Sequence, residues 1–226
     1  MRSIMANPIF DTADHDRVKQ AVQQAESQTS AEIVPVVARS SGRYDRSEDI
    51  VGLWFAALAM IFVWVIYPRS TDPNDWDAPA PIWELFAFVV AMVIGFVVGA
   101  MIGMRVDVIR RLFTPRAQMR EDVLRRAKEV FFDKRIHHTD RGSGVLVYVS
   151  LFERMAVIIA DQSVLDKVGQ PRLDEWCAEF MQRLSKGTPI DAICETIAVI
   201  GQQLSPLLPR TETQGNELAD VLVELQ

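Results

Sequence analysis

The chain has 226 residues, 49% of them hydrophobic, with mean hydropathy +0.09, a net charge of −6 and a pI near 5.2. That length suits one ordinary domain plus an extra element. The acidic balance excludes a general nucleic-acid binder, because phosphate binding needs clustered cations, and no nucleic acid is expected among its partners.

Residues 1–16 lack the apolar core of a cleavable signal, so the N-terminus is expected in the cytosol. Asp11 or Thr12 caps a helix expected to run to about Gln28, with Val18, Ala21, Val22 and Ala25 on one apolar stripe. Residues 31–38 (AEIVPVVA) read as a strand. Pro35 cannot donate a ladder hydrogen bond, so this strand should be an edge or bulged there.

Residues 50–67 carry no charge, and residues 82–104 carry only Glu84. A helix needs roughly 20 apolar residues to cross a ~30 Å hydrocarbon layer, so these two runs predict a transmembrane hairpin. Arginines 39, 43 and 46 precede it and arginines 105, 110, 111, 116 and 120 follow it, whereas the loop 68–81 holds only Arg69. The positive-inside rule then puts both termini in the cytoplasm, with Trp64, Tyr67, Trp76 and Trp83 at the outer interface. Gly95, Gly99 and Gly103 form a ridge of small residues that lets another helix approach. Two readings stand: packing against Ala56 and Ala59 within the hairpin, or a homodimer through the ridge.

After the hairpin, Thr114-Pro115 opens a helix with Met119, Val123, Ala127, Val130 and Phe131 on one stripe. Residues 144–150 (GVLVYVS) and 155–160 (MAVIIA) predict two strands joined by a turn at 151–154. Glu153 and Arg154 in that turn read as a cross-turn ion pair. Two amphipathic helices follow, one around 173–184 and one from Pro189 to about Leu204, each with a buried free cysteine, Cys177 and Cys194. Pro206, Pro209 and the polar run TETQGN predict an extended tail over 206–226.

Neither soluble piece can bury both faces of its strands alone. Residues 1–49 and 105–205 are therefore expected to form one α/β domain, a small mixed sheet covered by helices, with the 50–104 hairpin inserted in its crossover.

Three stretches resemble the TPM domain family: residues 26–34 (ESQTSAEIV), residues 139–150 (TDRGSGVLVYVS), and Glu153-Arg154 followed by an apolar strand and Asp161. The tail's Asn216-Glu217-Leu218 is similar to a motif of the bacterial subgroup. The resemblance implies a small α/β sandwich, and with a hairpin at this position it implies a multi-pass protein of the bacterial inner membrane. Family members include accessory or maintenance factors of membrane complexes and weak acid phosphatases. The first implies other membrane proteins, besides the bilayer, as partners, and the second a reaction on phosphate esters.

The residues offer limited chemistry. If the strand ends meet, Glu32, Asp140 and Asp161 could collect a hard cation such as Ca²⁺ or Mg²⁺, which takes several oxygen ligands and can polarise a phosphate ester. The alternative is that each is a cap or turn residue. Arg141 beside Gly142 suits a phosphate contact, and equally a pairing with Asp140 or a lipid headgroup. The adjacent His137 and His138 diverge, with no further ligand at metal spacing, and read as a solvated turn. No phosphate loop, nucleophile elbow or zinc signature is present.

Overall fold

The computed structural model describes residues 9–42, 44–67, 81–106, 111, 114–139, 142–210 and 221–225. They fall into two compact units, residues 1–42 with 119–226, and residues 43–118.

In the first unit, Asp11 accepts the Asp14 amide at 2.8 Å and starts helix α1, Thr12–Glu26. Such a cap satisfies a backbone donor that the first helical turn leaves free. Strand β1 spans Glu32–Ala38. The apolar run GVLVYVS gives β2, Gly144–Ser150, and the run MAVIIA gives β3, Met155–Ala160. β1 and β2 pair in parallel over their whole lengths, and β2 and β3 antiparallel. The sheet therefore closes across the inserted segment, as the sequence requires.

The tail departs from the sequence reading. Instead of a free extended segment over 206–226, its end adds a short strand β4, Val223–Leu225, parallel to β1, giving the order β3-β2-β1-β4. Glu224 holds this end in place. Its carboxylate accepts the amides of Ile9 at 2.7 Å and Phe10 at 3.2 Å and lies 2.9 Å from His15 Nε2. The start of the tail is pinned as well: Leu208 O accepts the Thr29 hydroxyl at 2.7 Å and the Ser30 amide at 2.8 Å.

Pro35 fits this sheet by parity. The Glu32 amide bonds towards β2 (to Ser143 O) and the Arg39 amide towards β4 (to Leu225 O), so Pro35 N faces the β4 side. β4 pairs only with Val36, Val37 and Ala38, so the missing donor falls where β1 has no described neighbour. Among the described residues, β1 is an edge at Pro35 and an interior strand beyond it.

Alternation along the strands sends side chains to two cores. Ile33, Val37, Val145, Val147, Val149 and Ile158 meet α1 and the C-terminal helices on one face. Val34, Val36, Leu146 and Tyr148 meet helix α4, Arg116–Asp133, on the other. The first core is completed by a short helix α5 (Gln162–Val168), then α6 (Gln170–Lys186) and α7 (Pro189–Leu204). α5 was not foreseen. Gly201 of α7 packs on Ala25 of α1, where an added Cβ would come within 2.6 Å of the alanine Cβ. Gln203 accepts from Trp176 Nε1 at 2.7 Å and from Arg172, joining α7 to α6.

The second unit is built on α2 (Asp45–Ile66) and α3 (Pro81–Arg105), both long and apolar enough to cross a membrane. Their large side chains face outwards: Leu53 is 67% exposed, Phe62 65% and Ile82 66%. A soluble core helix would bury such residues. Small residues meet inside. A Cβ on Gly95 would lie 2.7 Å from Phe55 O and 2.8 Å from Ala59 Cβ, and one on Gly99 2.9 Å from Gly52 Cα. The glycine ridge is thus filled by α2 of the same chain. This is the intrachain packing that the sequence offered at Gly95 and Gly99. Gly103 is buried on the same helix.

Candidate functional site

Three places in the first unit gather polar or concave surface. The first is the sheet end that the sequence singles out. Glu32 pairs with Gly144, and the Asp161 amide donates to Gly144 O at 2.9 Å, so Glu32, Gly144 and Asp161 form one row across β1, β2 and the end of β3. Two strand spacings separate the backbones carrying the two carboxylates, about 10 Å. Gly144 is obligatory in this row, because a Cβ there would meet Ile136 O at 2.1 Å.

Asp161 caps α5: one carboxylate oxygen accepts the Gln162 amide at 2.7 Å. The other, Oδ2, is buried and has no hydrogen-bond partner among the described residues. It faces Gly142, whose φ of +58° places it in the left-handed region and whose carbonyl accepts the Ser163 hydroxyl. Burying an unpaired carboxylate oxygen is costly, so this atom is poised for a cation or a donor. Glu32 is 4% exposed and is itself engaged. Asp140 and Arg141, the other two candidates, lie outside the described residues. Among the described residues no group of three His, Cys, Asp or Glu side chains is placed to hold a metal. Glu32 and Asp161 are brought to one sheet end, with Asp161 acting as a cap.

The second place is the opposite sheet end, and sequence reasoning missed it. Glu153 is 4% exposed, accepts the Ser41 amide at 2.8 Å and takes the Ser150 hydroxyl. The Ser41 hydroxyl lies 2.9 Å from both Tyr148 Oη and Ser150 Oγ. Burial pushes the Tyr148 hydroxyl above its ordinary pKa, opposed by its bond to Ser41. Among the described residues Arg154 forms no ion pair across the turn; it turns the chain at φ +53°. The expected cross-turn ion pair is therefore replaced by a buried network that fastens the exit of β1 to the β2–β3 turn. The Ser150-x-x-Glu153 spacing was the only signal for it. His137 and His138 do sit in a turn, with the His137 ring 4.9 Å from that of Phe132.

The third place is a cleft of about 770 Å³ along the outer edge of β3, between α4 and α6. Its floor is Met155 to Ala160, its α4 wall includes Arg120, Val123, Leu124 and Lys128, and its α6 wall includes Leu173, Asp174, Cys177 and Met181. Cys177 is half-buried and donates to Ala156 O at 3.0 Å. Burial pushes its thiol up; the Ile158 amide and Arg120 only partly oppose this. A thiol held in that state is a poor nucleophile. Arg120, read from sequence as a topology determinant, stands at the rim of this cleft.

No protein-family model matches the chain, and no curated protein does. Its fold is similar to the NMR structure of the BA42 protein from the psychrophilic bacterium Bizionia argentinensis, with a TM-score of 0.56 and 15% identity over 99% of each chain. At that identity the likeness concerns the fold alone.

Proposed function

We propose that this is a membrane-tethered accessory factor of the TPM type, whose α/β domain binds other membrane proteins. The observation that carries this reading is the cleft beside β3: the concavity is built on an unpaired strand edge, with mainly apolar walls, which suits a polypeptide better than a small reactive substrate. The hairpin's outward apolar surface supports anchoring in a bilayer. The arginine asymmetry supports cytoplasmic termini, and the resemblance supports the bacterial inner membrane as the location. An insertion inside one closed sheet tethers the domain through two chain segments.

Affinity purification of the detergent-solubilised full chain should retrieve a reproducible set of membrane proteins, while the purified chain shows no turnover of p-nitrophenyl phosphate. A cysteine replacing Asn74 should label from outside intact cells; protection there would reverse the orientation. A second reading, a metal-assisted phosphatase, is favoured by one observation, the buried Asp161 Oδ2, which has no hydrogen-bond partner among the described residues. Ester turnover that Asp161→Ala lowers at least a hundredfold would put that reading first. Turnover unaffected by the substitution would remove Asp161 from it.

A further inference from the structure

The groove beside β3 has a backbone code that can be read by parity. The Asp161 amide points to β2, so the amides and carbonyls of Ala156, Ile158 and Ala160 point away from the sheet. The Cys177 sulfur covers the Ala156 carbonyl and the Ile158 amide. Beyond it, the Ile158 carbonyl and both backbone groups of Ala160 meet no neighbouring strand among the described residues, where β3 ends the sheet. Open edges are normally blunted by charge, proline or a bulge. β3 has none of these: its sequence is MAVIIA.

The walls differ in character. Arg120 and Lys128 stand exposed on the α4 wall, and neither makes an ion pair with any described residue. Asp174 is the only acid in the lining. The whole chain carries −6, so most of its surface repels an anion while this rim attracts one. Arg120 and Lys128 are about 12 Å apart along the helix, close to the ~13 Å between residues four apart in a strand. The α6 side, with Leu173 and Met181, is apolar and adaptable.

We propose that the edge of β3 is a docking site for an extended peptide of a partner protein that alternates acidic and apolar residues. The peptide adds to the sheet through Ile158 and Ala160, turning its carboxylates to Arg120 and Lys128 and its apolar side chains to α6. A strand sends successive side chains to opposite faces, so a single alternating sequence satisfies both walls. This rests on the accessory-factor reading and names the chemistry of its partner.

The test uses the full chain in phosphatidylcholine nanodiscs and fluorescein-labelled hexapeptides, followed by anisotropy. Asp-Val-Asp-Val-Asp-Val should bind at least tenfold more tightly than Lys-Val-Lys-Val-Lys-Val. The doubly substituted R120E/K128E chain should reverse that preference. N-methylating the peptide amides in one alternating set should weaken binding at least tenfold, and in the other set should leave it within twofold. Absence of binding by the acidic peptide, tighter binding of the lysine peptide, or equal tolerance of both methylated sets would overturn the proposal. A R120E/K128E chain that still retrieves the same membrane proteins would overturn the cleft as the docking site while leaving the accessory reading in place.

Discussion

The hairpin and the α/β domain solve opposite packing problems with the same residue types. In the domain, the largest side chains are innermost: Trp176, Tyr148 and Phe180 are at most 1% exposed. In the hairpin the interior is Gly52, Ala56, Gly95 and Gly99, and residues such as Trp54, Phe62 and Trp64 face outwards. Water expels apolar area, so the domain gains by burying large groups. Lipid tails are as apolar as leucine, so a hairpin in a bilayer gains from close backbone approach instead.

The largest test of this contrast is Trp176→Ala. It removes a buried indole and its bond to Gln203, and should cost about 3–5 kcal/mol, read as loss of the domain's cooperative thermal transition. Gly99→Leu asks the reverse question. A side chain there would strike Phe55 and the α2 backbone within 2.9 Å, so disulfide crosslinking between cysteines placed on α2 and α3 should fall, at a cost of about 1–3 kcal/mol or more. Glu153→Ala strands the Ser41 amide and the Ser150 hydroxyl, for about 1–3 kcal/mol, and should make the β2–β3 turn sensitive to protease. The smallest effect belongs to Phe62→Ala, within about 0.5 kcal/mol of the parent in the same crosslinking assay, because that residue is 65% exposed. A large loss there would break the comparison.

Acid gives a test confined to the domain, at Glu224. Burial pushes the Glu224 carboxyl up, but the Ile9 amide, His15 and the Phe10 amide outweigh it, leaving the group below its ordinary value. A depressed carboxyl stabilises the folded state fully above its unfolded pKa and loses that contribution as pH falls through the folded one. Protection of the β4 amides, measured relative to their intrinsic exchange at each pH, should therefore fall on acidification below the ordinary glutamate range, and Glu224→Gln should show the lower protection already at neutral pH.

Much of this was legible in the residues. The strands at 144–150 and 155–160, the Asp11 cap and the two apolar spans follow from period, capping chemistry and length, which are local properties. β4 was not, because Val223–Leu225 is short and has no strand character apart from β1 and the amides that Glu224 receives. Glu153 read as half of a cross-turn ion pair with Arg154 for a similar reason: one of its partners, Ser41, lies 112 residues away in the chain.

The sequence by itself determined where the chain is apolar, which segments are helix or strand, and that the two soluble pieces must share a sheet, since hydrophobic period and hydrogen-bonding capacity belong to the chain. Tertiary structure alone decided which backbone edges are covered, that the glycine ridge faces α2, and that β3 lies open between α4 and α6. Those outcomes depend on which distant groups arrive within hydrogen-bonding or van der Waals range, and no local pattern encodes that arrival.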